Sequence, residues 1–223
     1  MVWFEKWCRK YWLRVVYGLG LAMLAALCVQ PEMPAERRLP FVLAVLLPLH
    51  VCEENTLPGG FHYMLNLTQR SEKPNAGPMN ALTNMVSNFA AELLMIGLAL
   101  YGGSPGISLM VAFFGFGETA AHLVIGVVVQ KKLRSSGKKT IYGPGLATAC
   151  LALLPLSVRA VLLLRGQTLT GRDMVTGVLL VIIVIAGLIR LPLMTLGKFQ
   201  PQYAFSGSGY FARFQRPGGR ADF

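Results

Sequence analysis

The sequence is poor in charged residues and has no cysteine framework. Only 14% of its 223 residues are Asp, Glu, Lys or Arg, whereas typical soluble domains carry about 25%. A soluble domain of this size is therefore excluded for lack of polar surface. The four cysteines lie far apart without a C-x-x-C pair, so we expect neither a disulfide framework nor a cysteine-rich zinc knuckle.

Apolar residues fill the space that charges leave. They make up 54% of the chain, and the mean hydropathy is +0.52, which is typical of a polytopic membrane protein. The apolar stretches predict an all-α bundle of about six (five to six) transmembrane helices, at 15–29, 40–52, 81–101, 105–130, 144–164 and 174–196. The second stretch is shorter than the ~20 residues that span a bilayer and needs residues 50–54 to complete its length.

The pattern divides the chain into four parts. Residues 1–38 hold a basic N-terminus and the first helix, 39–164 a transmembrane core, and 165–196 the last helix. Residues 197–223 form a basic and aromatic tail without apolar periodicity, which we expect to be disordered and to touch anionic lipid headgroups. The start of the chain also resembles a signal peptide, but no small-x-small cleavage pattern follows, which favours an uncleaved helix.

The distribution of Lys and Arg predicts the orientation. The N-terminus, the loops after the second and fourth helices, and the tail hold fifteen Lys and Arg residues, whereas the opposite loops hold four. By the positive-inside rule both termini are cytoplasmic, in a multi-pass protein of the cell (inner) membrane. The net charge of +11 is explained by these loops, so we expect no nucleic-acid partner.

An H-x-x-E-E cluster stands at the end of the second apolar stretch, as His50, Glu53 and Glu54. A charge in hydrocarbon costs about 2.5–3.5 kcal/mol or more unless partners, protons or a metal neutralise it. At 100° per residue, the two carboxylates flank the imidazole on either side. The alternative explanation is that these three residues form a polar helix end at the membrane interface, where charged residues are common.

Two further polar stripes interrupt apolar helices. One follows a spacing of four residues through Asn80, Asn84, Asn88 and Glu92, and the other pairs Glu118 with His122. At ~1.5 Å per residue, the deeper groups lie at a depth similar to that of His50, between the midplane and the cytoplasmic face; they are Asn88, Glu92, Glu118 and His122. The asparagines are also explained by hydrogen bonds between helices, and Arg159 is an alternative partner for one of the buried carboxylates.

Two imidazoles and several carboxylates form a ligand set for zinc, iron or manganese. Neither the di-iron Glu-x-x-His spacing nor the zincin order His-Glu-x-x-His is present. Glu53 and Glu54 are also candidates for a general base, and Asn84 and Asn88 are candidates for a supporting role. The candidate ligands are His50, Glu53, Glu54, Glu92, Glu118 and His122.

These residues carry a resemblance to a family of membrane proteins. The order of three motifs resembles the family of uncharacterised integral membrane proteins named for its HXXEE motif, namely His50-x-x-Glu53-Glu54, Asn88-x-x-x-Glu92 and Glu118-x-x-x-His122. The resemblance covers roughly residues 39–160 and implies a multi-helix membrane protein without implying a reaction.

Three functions are compatible with this pattern of residues. The first is a metal-dependent membrane enzyme, a hydrolase or an oxidoreductase, with an apolar or lipid substrate. The second is a transporter in which the same carboxylates bind protons or a cation. The third is a structural membrane protein in which these groups hold helices together.

Overall fold

A computed structural model describes residues 2–199 and 202–215 of the chain. All regular secondary structure in these two ranges is helical, which confirms the all-α prediction. The helices are α1 (Trp3–Val29), α2 (Ala35–Asn55), α3 (Phe61–Thr68), α4 (Ala81–Tyr101), α5 (Pro105–Lys132), α6 (Leu146–Leu164) and α7 (Gly171–Thr195), followed by a 3-10 helix at Gly209–Phe214.

Within the described ranges, five helices are long and apolar enough to cross a membrane, namely α1, α4, α5, α6 and α7. Helix α2 has 21 residues, a length of ~31 Å, but it carries charges at both ends. The range of five to six membrane helices is therefore confirmed. The predicted second helix is present and starts five residues earlier than expected. Its first turn is polar and contains Glu36, Arg37 and Arg38, so the apolar pattern did not include it.

Local sequence signals fix where several helices begin. Helix α4 starts with a capping box in which Asn80 and Thr83 bond each other's backbone N–H groups, an arrangement that satisfies donors otherwise left open at a helix start. Helix α5 starts at Pro105 behind Ser104, whose side chain accepts from the N–H of Ile107. Asn80 therefore belongs to the cap of α4, whereas Asn84 and Asn88 lie within the helix.

Helix α2 lies at the centre of the bundle, in contact with α1, α4 and α5. Its apolar side chains, among them Phe41, Leu43 and Val51, are almost fully buried. Gly20 of α1 lies so close to Pro48 of α2 that a Cβ at Gly20 would stand 2.8 Å from the proline ring. Apolar side chains of α7 such as Leu179, Ile182 and Ile185 are instead about half exposed, as a lipid-facing surface requires.

The N-terminal segment, the loops after α2 and α5, and residues 202–215 meet at one end of the bundle, which we call the end layer. Arg9 donates hydrogen bonds to the carbonyls of Gln202 and Ala204, and the N–H of Phe205 donates to the carbonyl of Asn75. The end layer thus joins the four segments that the charge count assigns to one side. That this side is cytoplasmic stays a prediction.

Residues 202–215 differ from the expected disordered tail. Phe211 is fully buried, and the ammonium of Lys138 lies 4.9 to 5.5 Å from the ring centroids of Tyr210, Phe211 and Phe214. Cation–π attraction and burial attach these aromatic residues to the protein. Contact of the tail with lipid headgroups stays a prediction. Burial also lowers the pKa of Lys138. Residues 200–201 and 216–223 of the expected tail lie outside the described residues.

Candidate metal centre

Helices α2 and α5 bring two histidines and two glutamates together in the interior of the bundle. His50 and Glu54 stand one turn apart on α2, and Glu118 and His122 one turn apart on α5, so each pair shares one face of its helix. His50 is 3% exposed and His122 is 1% exposed. We call these four residues the His/Glu cluster.

The distances within the His/Glu cluster suit a shared cation. Nε2 of His122 lies 3.3 Å from Oε1 of Glu54 and 3.7 Å from Oε2 of Glu118. Nε2 of His50 lies 3.6 Å and 3.8 Å from the same two oxygens. Ligands at ~2.0 Å from a tetrahedral ion stand ~3.3 Å apart, so small side-chain movements close the site.

His50, Glu118 and His122 can hold a metal ion, since one ligand atom from each lies within 4.8 Å of the other two. Their rings and carboxylate converge from two helices that are packed against each other. The two imidazole rings meet edge to face, with centroids 5.0 Å apart. Two histidines and one carboxylate form a ligand set that zinc enzymes use, with the fourth position left to water or substrate.

Thr148, at the start of α6, fixes the tautomer of His50. The Thr148 hydroxyl lies 2.6 Å from Oε2 of Glu53, 3.2 Å from the carbonyl of Gly145 and 2.8 Å from Nδ1 of His50. The first two partners are oxygen acceptors, so the hydroxyl proton goes to one of them, and Nδ1 of His50 must donate. Nε2 then presents a lone pair to the cluster, which is the form that binds metals.

Glu53 is held by donors from the segment that leads into α6. Its Oε1 accepts from the Tyr142 hydroxyl at 3.1 Å and the Ala147 N–H at 3.2 Å. Its Oε2 accepts from the N–H and hydroxyl of Thr148 at 2.7 Å and 2.6 Å. These donors balance the charge of Glu53 without a metal, and Thr148 links it to His50. Burial, together with the neighbouring carboxylate of Glu53, raises the pKa of Tyr142 to about 12.

His122 is enclosed on two sides. The ring of Phe61, from α3, lies 4.9 Å from the imidazole centroid. Gly145 adopts φ +94°, and a Cβ there would stand 2.8 Å from both ring nitrogens. Nδ1 has no hydrogen-bond partner within the described residues, and Nε2 faces the carboxylates of Glu54 and Glu118, so shape positions the ring and directs Nε2 into the cluster.

The other predicted ligands, Glu53 and Glu92, make no ion pair with His50 or His122 among the described residues. Glu92 is fully buried in α4, and its carboxylate has no hydrogen bond or ion pair among the described residues. Asn88 donates to Asn84, which in turn donates to Asn55 of α2. This chain agrees with hydrogen bonding between helices. The roles of Glu53 and Glu92 as ligands, and of Asn84 and Asn88 as supports, stay predictions.

Three residues that surround the site were not predicted from the sequence. Gly145 lies in the loop before α6 and Thr148 in the first turn of that helix, both remote in sequence from the motif. Phe61 comes from the short helix α3. The Gly143-Pro144-Gly145 triplet indicates a turn, but nothing in the pattern says that it contacts His122. Arg159, expected as a buried partner, is exposed.

The fold and the site define the class as a helical membrane protein with a buried His/Glu cluster between its packed helices. Residues 41–160, more than half of the chain, match the family described as "Protein of unknown function with HXXEE motif". The chain belongs to this family, as the spacing of its motif predicts. No curated protein and no solved structure shows a significant match to the chain.

Proposed function

We propose that the protein is a metal-dependent enzyme of the cell membrane, with the end layer in the cytoplasm. The observation that carries this proposal is the convergence of two imidazole nitrogens and two carboxylate oxygens at 3.3 to 3.8 Å. Among the described residues, these imidazoles are the cationic groups within ion-pair distance of Glu54 and Glu118. Four such groups buried together are expensive unless a cation or protons neutralise them.

In this proposal His50, His122 and Glu118 hold one divalent ion of zinc, iron or manganese. The ion supplies Lewis acidity or redox chemistry at an open position. Glu54, whose Oε1 lies within 3.6 Å of both Nε2 atoms, is then the carboxylate left to accept a proton as general base. Glu53 acts one step removed, because it holds Thr148, which orients His50.

A transporter is the second candidate, and one observation favours it. A polar cavity of about 320 Å³ lies in the end layer, lined by residues that include Arg9, Asn55 and Asn84. The hydrogen-bonded chain from Asn88 to Asn55 begins at that cavity and runs into the bundle. Such a path suits protons or cations. It predicts pH-dependent flux into liposomes that is lost in Glu118→Gln.

Metal content tests the proposal. The full chain, purified without chelators and incubated with zinc, ferrous iron or manganese, is measured by elemental analysis. We expect about one ion per chain and its loss in His122→Gln and Glu118→Gln. His62→Gln is the matched control, because His62 is a buried histidine bonded to Asn75 and Gly207 outside the cluster.

The same preparations separate the alternatives. A native protein without a stoichiometric ion contradicts the enzyme proposal. A purely structural role predicts that His122→Gln lowers the unfolding temperature while no ion is bound in either protein. Loss of the ion from both cluster variants and from the control alike would also contradict the assignment, because it would point to general unfolding.

A further inference from the structure

A cleft between α5 and α7 opens on the apolar outside of the bundle and ends at the His/Glu cluster. Its volume is about 240 Å³, and Glu118 is the one charged residue that lines it. The remaining walls are apolar, and they include Phe113, Phe114, Gly117, Val181, Val184 and Ile185. The side chain of Glu118 is 22% exposed, so it contacts the histidines on one side and the cleft on the other.

Two features of the helices create this cleft. At one end α5 and α7 approach closely, because a Cβ at Gly106 or at Gly177 would stand 2.7 Å from the opposite helix or its side chain. The cleft begins about one turn further along. There α7 changes to a π-helical stretch, Ile183–Arg190, which includes cleft residues. Such stretches are found often at functional sites.

The depth of Glu118 decides which part of a lipid can reach it. Glu118 lies at the middle of the 28-residue helix α5, ~20 Å from either end. For a helix centred on the bilayer, this is the midplane of a hydrocarbon core ~30 Å thick. A bilayer lipid keeps its headgroup at the surface, so the part that reaches this depth is the hydrocarbon chain.

We propose that this cleft binds one hydrocarbon chain of a bilayer lipid, with the carbons far from the headgroup, towards the terminal methyl, against Glu118. This inference rests on the proposed function and names its substrate class. The apolar walls match the chain, and the volume exceeds the ~150 Å³ that accepts benzene in an apolar cavity. A chain carbon beside the cluster favours the oxidoreductase over the hydrolase, because ester groups lie near the membrane surface.

Photocrosslinking of the full chain in phosphatidylcholine nanodiscs tests the cleft. One probe is phosphatidylcholine with a diazirine in the half of an acyl chain that lies nearer the terminal methyl. The other carries the diazirine in its headgroup. We expect the chain probe to label peptides that contain 113–121 and 181–189, and the headgroup probe to leave them unlabelled. The metal content of each sample is measured in parallel.

Gly117→Leu blocks the cleft in this experiment. A Cβ at Gly117 has no atom within 4 Å, so the leucine projects into open space and the fold is kept. We expect labelling by the chain probe to be lost and the metal content to stay unchanged. Gly97→Leu in α4 is the matched control, since it also has open space but lies outside the cleft. Ala121→Leu, one turn along α5, is a second blocking variant.

The outcomes distinguish this inference from the proposed function. Labelling that survives both blocking variants, or that the headgroup probe produces equally, overturns the lipid-chain cleft even when the metal is present. Native protein that lacks metal but shows labelling sensitive to Gly117→Leu overturns the metal centre and leaves the cleft. Loss of labelling in Gly97→Leu as well would overturn the assignment of the label to this cleft.

Discussion

Glu53 and Glu54 are adjacent carboxylates in the last turn of α2, and their surroundings are opposite. Glu53 is 7% exposed and accepts four hydrogen bonds from Tyr142, Ala147 and Thr148. Glu54 is 4% exposed and faces two imidazoles. We call these the hydrogen-bonded side and the imidazole side of the turn.

The difference shows that burial alone does not define a ligand. Donors already neutralise the charge on the hydrogen-bonded side, at about 1.5–3 kcal/mol for each bond to a charged group. On the imidazole side the negative charges of Glu54 and Glu118 meet nitrogen atoms that need a cation or a proton between them. We therefore propose that the hydrogen-bonded side supports the site and that the imidazole side belongs to it.

The largest effect is expected from Gly145→Ala, which acts on the imidazole side. The new Cβ would stand 2.8 Å from both nitrogens of His122, so the ring must move and the bound ion is lost. Overpacking costs about 1–3 kcal/mol in the free energy of unfolding, beyond the backbone strain. Elemental analysis and thermal unfolding in detergent measure both effects.

Gly137→Ala is the control for backbone strain. Gly137 also has a positive φ, +89°, but a Cβ there meets no atom within 4 Å. We expect this variant to lose only ~1–2 kcal/mol from the left-handed conformation and to keep its metal. Equal loss of metal in the two alanine variants would contradict the placement of His122 against Gly145.

The next effect separates the two carboxylates directly. Glu54→Gln removes a charge beside the ion, and we expect metal affinity to fall about 10–100-fold with stability little changed. Glu53→Gln places an amide NH2 against backbone and hydroxyl donors, so we expect the free energy of unfolding to fall by about 3 kcal/mol. Metal competition titration and thermal unfolding measure the pair. Identical behaviour of the two variants would remove the distinction between the sides.

His62, outside the membrane-spanning helices, extends the comparison to a histidine whose Nε2 already has oxygen acceptors, on Asn75 and Gly207. Burial lowers its pKa from 6.5 to about 4. Because the unfolded state then binds more protons between these values, the free energy of unfolding falls as the pH drops from 6.5 to 4, by about 3 kcal/mol. We expect His62→Gln to flatten this slope in melts recorded across that range. An unchanged slope would assign it to other groups.

The smallest effect is expected from Thr148→Val, which cuts the link between the two sides. Without the hydroxyl, Nδ1 of His50 loses the acceptor that fixes its tautomer. We expect metal affinity to fall about tenfold, at the low end for residues that orient a ligand. Thr148→Ser keeps the hydroxyl and serves as the control. A serine variant as weak as the valine variant would show that packing, and not the hydroxyl, is responsible.

Helical periodicity predicted part of this site. The i, i+4 spacing predicted that Glu118 and His122 share one face, and 100° per residue put both Glu53 and Glu54 beside His50. The structure has His122 near Glu118 and His50 near Glu54. Periodicity could not choose between Glu53 and Glu54, because both flank His50 and the rotation of α2 about its axis is set by packing. It also could not reveal that Glu92 makes no ion pair with the cluster histidines among the described residues, since that depends on how α4 rotates against α2.

Contacts between distant segments account for what the sequence missed. Gly115 of α5 touches Ser157 and Leu153 of α6, and Gly126 touches Ile141, so these small residues bring the loop with Gly145 onto His122. The end layer likewise depends on Lys138 meeting three aromatic rings far along the chain. Such pairings have no local pattern, whereas the apolar lengths of the helices do.

X-ray absorption at the edge of the bound metal tests the central claim most directly. The ion in the native protein should show a first shell of nitrogen and oxygen at ~2.0–2.2 Å, with the outer scattering of two imidazoles. In His50→Gln and in His122→Gln any residual ion should show one imidazole fewer. A first shell that contains sulfur, or one without imidazole scattering, would contradict a metal centre built by His50, Glu118 and His122.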